Sequence, residues 1–274
     1  MSETRTVRYD TNAGVATITL DRPQTLNAMN NPLMNDLKWA LENVVADESV
    51  RAAVLTGSGR GFCSGADLAP TADRAGTDGD VDQLGETVTQ GMDDIFHPPI
   101  RLLSQLPVPT IAKVNGVAAG GGMGLALGCD LVVAARSARF VCTFGPRLGI
   151  VPDLGTTFHL PHLVGRARAR GIAMLGESIS ADQAAEWGLI WAAVDDDQLD
   201  ATVEDVAARL ARNSPEAMTR IRSSFESADT NTLSQQLDVE RDHQRVLIPR
   251  NMEEGATAFM EKREPKFDQQ RSAD

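Results

Sequence analysis

A chain of 274 residues is long enough to bury a sizeable core, as one large domain or as a domain with an appendage. Its apolar, charged and glycine contents are those of a soluble globular protein. A formal charge of −12 argues against a nucleic-acid partner, and an anionic ligand would need a local basic patch.

The first ten residues are polar and carry no apolar signal region. Three cysteines, Cys63, Cys129 and Cys142, fit a reducing cytoplasm, and with four scattered histidines they make no metal-ligand spacing.

Residues 6–9 and 15–20 read as an opening β-hairpin around Thr11-Asn12-Ala13-Gly14. A turn, Asp21-Arg22-Pro23-Gln24-Thr25-Leu26-Asn27-Ala28-Met29, leads to a helix over 31–47. Leu33, Leu37, Leu41, Val44 and Val45 are expected on its buried face. Residues 50–56 form an apolar strand that ends in a glycine-rich turn, Gly57 through Gly61-Phe62-Cys63-Ser64-Gly65-Ala66-Asp67-Leu68. This turn has neither the Lys-Ser/Thr of a phosphate-binding loop nor the dinucleotide spacing. Residues 69–83 read as a loop, and residues 85–105 as a helix that Pro98 and Pro99 should kink or break. His97, just before that break, reads as structural or exposed, with a catalytic role left open. Both segments are expected to shape a substrate pocket.

The stretch Ile111-Ala112-Lys113-Val114-Asn115-Gly116 through Gly120-Gly121-Gly122-Met123-Gly124 reads as strand, glycine turn and close-packed helix. Its glycines and asparagine argue against a membrane span. A glycine turn lets a ligand approach the backbone, and a helix start offers unpaired N–H groups, so this turn can hold an oxyanion. After a strand at 131–135 comes Leu148-Gly149-Ile150-Val151-Pro152-Asp153-Leu154-Gly155. Asp153 stands in an otherwise uncharged segment. It can be a desolvated acid with a raised pKa, the N-cap of the helix over 156–163, or both. A basic-faced helix over 165–175 and a capped short helix starting at Ser180 follow. A strand over 190–194 comes next, and then helices over 201–213, 215–224, 233–247 and 251–261.

Several motifs in order carry a resemblance over nearly the whole length. They are Leu20-Asp21-Arg22-Pro23 with Leu26-Asn27-Ala28-Met29, Gly61 through Leu68, Val114-Asn115-Gly116 through Gly122, and Leu148 through Asp153. Gly176-Glu177-Ser178-Ile179-Ser180-Ala181, Ala185-Glu186-Trp187-Gly188-Leu189 and Ala258-Phe259-Met260-Glu261-Lys262-Arg263 complete the set. Together they resemble the enoyl-CoA hydratase/isomerase (crotonase) superfamily.

That resemblance implies an α/β fold, a spiral of ββα units over residues 1–198 carrying an acyl-CoA site. It also implies a C-terminal helical region over 199–274 that packs subunits into a homotrimer or hexamer. The implied partner is an acyl-CoA thioester, with no nucleic acid and no membrane. No separate cofactor is implied, because coenzyme A is part of the substrate. The resemblance places an oxyanion hole at the N–H groups of Ala66 and Gly121. Thr25, Leu26, Ala28, Ser64, Asp67 and Leu68 match the coenzyme A channel, and Gly65, Gly120, Phe144 and Pro152 complete the substrate set. Phe259 and Lys262 match C-terminal coenzyme A contacts that a neighbouring subunit commonly supplies.

The departures from the family pattern bear on chemistry. The two positions where family hydratases carry catalytic glutamates are Gly124 and Gly145, or Phe144 for the second if the segment is counted from Phe140. No glutamate occurs between Lys113 and Gly176. Asp153 remains, at a place where some isomerases of the superfamily carry a single aspartate base. The sequence therefore points to a double-bond isomerase, or an enzyme that opens or closes a ring on the acyl group. A hydratase with a substitute acid and a non-catalytic acyl-CoA binder are the rival readings.

Overall fold

The computed structural model describes residues 5–68 and 81–267. Strands β1 (Val7–Asn12) and β2 (Val15–Leu20) pair antiparallel. Ala13 and Gly14 close the hairpin at φ 46° and 78°, the left-handed pair that a tight two-residue turn requires. Helix α1 (Asn31–Ala46) is capped by Asn30, whose side chain accepts from Leu33 N–H, with a proline in the first turn. Leu33, Leu37, Leu41 and Val44 are buried, but Val45 is 44% exposed. One further step of helical rotation carries Val45 off the buried stripe, against the sequence expectation.

The middle of the chain repeats one plan. β3 (Ala52–Gly57) and β4 (Gly61–Cys63) precede α2 (Val81–Gly91), a π turn (Met92–Phe96) and α3 (His97–Ser104). β5 (Thr110–Val114) and β6 (Val117–Ala119) precede α4 (Gly121–Leu127). β7 (Leu131–Ala135) and β8 (Arg139–Val141) precede a π turn (Phe144–Leu148) and α5 (Thr156–Leu175). In each unit the first strand joins a six-stranded sheet and the second a four-stranded sheet. The chain then adds β9 (Ser178–Ser180) to the small sheet, helix α6 (Ala181–Glu186), and β10 (Ala192–Val194) to the large one. The large sheet has the order β1-β2-β3-β5-β7-β10 and the small one β4-β6-β8-β9. From β2 to β10 the large sheet is parallel. β3 is buried throughout, which is why it reads as an unbroken apolar run. This is the ββα spiral that the resemblance implied.

Three helices end the chain: α7 (Leu199–Arg212), α8 (Pro215–Ala228) and α9 (Leu233–Glu261). α7 packs on β3, β5 and β7 and buries Leu199, Val203, Ala207 and Ala211. α9 packs against α8. Among the described residues no helix is long and apolar enough to cross a membrane.

Several local expectations are corrected. Residues 69–80 lie outside the described residues, and 81–83, read as loop, open α2. Pro98 and Pro99 do not break the helix. The backbone stays helical at Phe96 and His97, and the preceding π turn absorbs the strain by letting His97 N–H reach Met92 C=O. The prolines then occupy the first turn of α3, where a missing N–H costs least. The helices expected over 156–163 and 165–175 are present and run end to end within α5, parted where Gly165 takes φ 74° and ψ 165°, outside the helical region. The helices expected on either side of Pro249 are one, α9. Flanking tertiary contacts hold it: Arg250 pairs with Glu216, and Asn251 Nδ2 donates to Ser214 Oγ at 3.1 Å.

Candidate active site

The first half of the site is a loop latched to the opening hairpin. Leu26 and Asn27 both take left-handed backbone, at φ 52° and 58°, and this turns the Asn27 side chain inward. Asn27 is fully buried. Its Nδ2 donates to Ser58, Gly61 and Phe62 carbonyls at 3.0, 2.9 and 3.1 Å, and its Oδ1 accepts from Arg22 N–H at 2.9 Å. Arg22 in turn pairs with Asp67 at 2.9 Å, both side chains being largely shielded from solvent. Ser64 N–H donates to Leu26 O at 3.0 Å and Ser64 Oγ to Thr25 O at 3.0 Å. Thr25, Leu26, Ala28, Ser64, Gly65, Ala66, Asp67 and Leu68 therefore share one small region. Ala28 is buried, whereas Leu68 is 46% exposed.

Met29 and Ala66 form an isolated parallel bridge. Met29 N–H donates to Gly65 O at 2.7 Å and Asp67 N–H to Met29 O at 2.8 Å. In that pattern the residue between, Ala66, keeps its own N–H turned away from the bridge. Among the described residues it donates to nothing.

The second half is the turn from β6 into α4. Gly120 takes φ 52° and ψ −128°, a conformation closed to side-chain-bearing residues, and its N–H donates to Val141 O at 2.9 Å. Gly121 opens the helix, so its N–H is among the first-turn donors that a helix leaves unpaired. The two halves meet backbone to backbone. A Cβ on Gly65 would lie 2.9 Å from Ala119 O and 3.5 Å from Gly121 N, and one on Gly122 would lie 2.3 Å from Cys63 O. Two unpaired N–H groups at such adjacent turns can receive one oxygen that gains negative charge.

Asp153 lies against α4, its carbonyl oxygen 3.3 Å from where a Gly124 Cβ would sit. The next residue, Leu154, takes φ 48°, and its Cδ1 would touch a Cβ on Gly121 at 2.6 Å, as would Met29 Cε. Asp153 does not cap α5 with its side chain. Gly155 is the N-cap, at φ 81°, and Asp153 contributes only its carbonyl, which accepts from Thr156 N–H at 2.9 Å. The capping expectation is thus corrected, and the carboxyl is left for other work. Burial pushes its pKa up from the ordinary carboxylate value, against the opposing charge of His97 and its own backbone N–H. The Cys142 thiol, pushed up to about 11 by burial, also feels the Asp153 charge. His97, whose role the sequence left open, has Asp93 as its partner, its Nδ1 3.1 Å from Asp93 Oδ1.

Phe144 is buried, its ring edge 3.9 Å from where a Gly120 Cβ would sit, and Thr143 Oγ1 is 3.0 Å from the same point. Pro152 is half-buried next to Asp153. Phe259 and Lys262 are carried by a different part of the chain, the C-terminal end of α9, where Phe259 is 82% exposed. Sequence reasoning did not single out Thr143 or assign a role to Met29. Nothing in their spacing marks them, because each reaches the glycine turn only through the fold.

Gly124 is enclosed. A Cβ there would lie 2.6 Å from Leu154 O, 2.6 Å from Thr156 Oγ1 and 3.3 Å from Asp153 O. Thr156 is fully buried, and its hydroxyl has no hydrogen-bond partner among the described residues. Gly145, by contrast, is exposed, its absent side chain directed toward Ala173 O. Among the described residues no group of three or more His, Cys, Asp or Glu is placed to hold a metal ion.

Comparison with known proteins gives the family. The family model for enoyl-CoA hydratase/isomerase matches residues 10–270. The chain is 46% identical over 257 residues to 1,2-epoxyphenylacetyl-CoA isomerase of Escherichia coli (strain K12), covering 93% of this chain and 95% of the relative. A crystal structure of an enoyl-CoA hydratase from Polaromonas sp. JS666 superposes with TM-score 0.86 at 33% identity, covering 96% of this chain and 99% of that one. A crystal structure of an enoyl-CoA hydratase/isomerase from Mycobacterium abscessus gives TM-score 0.88 at 31% identity, covering 96% and 99%. The chain belongs to the enoyl-CoA hydratase/isomerase (crotonase) superfamily and is an acyl-CoA-processing enzyme.

Proposed function

We propose that this protein is an isomerase of unsaturated or ring-bearing acyl-CoA thioesters that works with one carboxylate base and no added water. Asp153 takes the proton from C2. The electron pair moves into the thioester, and the enolate oxygen is received by the N–H groups of Ala66 and Gly121. Loss of one such donor typically costs about 3 kcal/mol of barrier stabilisation. Return of the proton at C4 moves a C3–C4 double bond to C2–C3. Nothing is added or lost, so one acid suffices. In a substrate with an epoxide or other strained ring fused to the acyl group, the same enolate can drive ring opening. The name of the E. coli relative supports that branch.

The observation that carries this reading is the enclosure of Gly124. The position of the first hydratase glutamate is filled by the 153–156 backbone and the Thr156 hydroxyl, so it is closed as well as empty. Hydration by a glutamate pair has no place to act, while the half-buried acid beside the glycine turn remains.

A coenzyme A channel along Thr25, Leu26, Ala28, Ser64, Asp67 and Leu68 belongs to the same reading, with Phe259 and Lys262 supplied across a subunit boundary. The exposed apolar side chains of Phe225, Leu233, Met252, Phe259 and Met260 on α8 and α9 support assembly as a trimer or a pair of trimers. Light scattering reads that directly.

The deciding experiment incubates the protein with a 3-enoyl-CoA and a 2-enoyl-CoA in heavy water, following C2 and C4 by mass and NMR. Deuterium entry with double-bond migration, reduced about 10²–10⁴-fold in Asp153→Asn, is expected. A 3-hydroxyacyl product carrying solvent oxygen would overturn the reading in favour of hydration. Tight acyl-CoA binding with no exchange at C2 would overturn it in favour of a binding protein.

A further inference from the structure

The direction of the Ala66 N–H is set by a bond on the other side of its own peptide unit. Gly65 O and Ala66 N–H belong to one peptide, and in a trans peptide the two point opposite ways. Gly65 O accepts from Met29 N–H at 2.7 Å, which turns Ala66 N–H outward from the Met29–Ala66 bridge. Met29 N–H in turn shares its peptide with Ala28 O, and Ala28 O accepts from Arg22 Nη1 at 2.5 Å. The guanidinium and the two peptides therefore form one chain of hydrogen bonds. It runs from Arg22 to Ala28 O and from Met29 N–H to Gly65 O, and it leaves Ala66 N–H at the free end.

Arg22 is held on several sides. Its side chain is 14% exposed, and its second arm, Nη2, lies 2.9 Å from Asp67 Oδ2. Asp67 directly follows Ala66, and its N–H donates to Met29 O at 2.8 Å, so the fork grips the chain on both sides of the bridge. The backbone of Arg22 is fixed as well: its N–H donates to Asn27 Oδ1 at 2.9 Å and its carbonyl accepts from Asn27 N–H at 2.9 Å. The opposite side has no slack, since a Cβ on Gly65, at φ 95°, would lie 2.9 Å from Ala119 O.

We propose that Arg22 is a positioning residue for the oxyanion. Through the Ala28–Met29 and Gly65–Ala66 peptides it aims the Ala66 N–H, and by its charge it strengthens that N–H as a donor. Hydrogen bonds in a chain polarise one another by about 10–30% per bond, and a charged donor makes the strongest first link. The proposal rests on the reading that Ala66 N–H receives the thioester oxygen, and it adds to that donor a cation that acts without touching the substrate. Asp67 orients the guanidinium.

The test compares the parent with Arg22→Lys, Arg22→Gln and Arg22→Met. Lysine keeps the charge and a donor, glutamine a donor only, and methionine neither. The probe is a saturated acyl-CoA with carbon-13 at the thioester carbonyl, whose stretching frequency falls as hydrogen bonds to its oxygen strengthen. Difference infrared spectra of the bound probe should show a lowered frequency in the parent. The lowering should be nearly kept in Arg22→Lys, partly lost in Arg22→Gln and lost furthest in Arg22→Met. C2 deuterium exchange of the same probe should fall in that order, by about tenfold in Arg22→Met, less than the roughly 10²–10³-fold loss from removing an oxyanion donor outright. The dissociation constant of the probe should change less than the exchange rate, because the donor is used most as the enolate forms.

One frequency shared by the parent and all the variants would overturn the proposal, whatever the variants lose in Tm. A merely structural role moves stability and leaves the bound carbonyl alone. If Arg22→Met does not fold, Arg22→Lys against Arg22→Gln decides, and equal frequencies in those two refute the role of the charge. Failure of the underlying reading looks different: the carbonyl bound to the parent would then absorb where it does in free acyl-CoA.

Discussion

Replacing Gly124 with alanine adds one methyl to a short, fully buried helix, and the structure sets two effects against each other. In an open helix the change would stabilise by about 0.5–1 kcal/mol, because alanine loses less backbone freedom on folding than glycine. Here the methyl would lie 2.6 Å from both Leu154 O and Thr156 Oγ1, and one of those is backbone. Overpacking of this kind costs about 1–3 kcal/mol. The steric term wins, leaving a net loss of about 1–2 kcal/mol. For a chain of this size that is a fall in Tm of about 2–8 °C. Relief can come only by displacing the 153–156 segment, which carries Asp153, so C2 exchange should fall together with Tm. Differential scanning calorimetry and the heavy-water assay read both quantities. A Tm equal to or above that of the parent would refute the reasoning, because it would mean that the helix term is realised and the space beside Gly124 is open. Gly124→Glu should be less stable still and should gain no hydration.

Other expectations follow from the same contacts. Asn27→Ala removes four hydrogen bonds to backbone groups, two of them buried and two partly buried, and should cost about 3 kcal/mol or more. A urea midpoint equal to that of the parent would show the latch to be dispensable. Asp153 must be ionised to act as a base, and its pKa is raised, so activity should fall on acidification at a pH above the ordinary carboxylate value of 3.8. A pH–rate profile with no acid limb above that value would count against it. Glu254 is held down to about 2, first by the Arg263 side chain and then by Lys266 N–H. A depressed acid stabilises above its ordinary value of 4.5, and that contribution is lost as pH falls from there toward about 2. The Lys266 amide, which donates to Glu254 Oε1 at 2.6 Å, should accordingly lose hydrogen-exchange protection across that window. Unchanged protection through it would dissociate the tail from this ion pair.

The parts of the fold legible in the chain were those whose cause is local. Ala13-Gly14 marks a hairpin because the turn itself demands left-handed backbone. The strand–glycine–helix pattern at 110–127 is legible for the same reason. The misreadings share the opposite cause. Pro98-Pro99 suggests a kink or break because proline removes a helical hydrogen bond, but the preceding π turn keeps the helix whole, and contacts from α8 carry α9 through Pro249. Asp153 was offered as a cap because aspartate caps well, yet the left-handed Leu154-Gly155 pair hands that place to Gly155. The oxygen atoms that close off Gly124 and the Thr143 hydroxyl at Gly120 depend on segments far apart in sequence. No periodicity reports such meetings.

The latch at Asn27 and the bond from Gly120 N–H to Val141 O have a consequence for how the protein is made. The first holds the Gly61–Leu68 turn to the opening hairpin through partners no later than Phe62, and the second fixes Gly120 N–H only once β8 is in place. A nascent chain can therefore set the Asn27 latch well before residue 141 supplies the carbonyl that anchors Gly120.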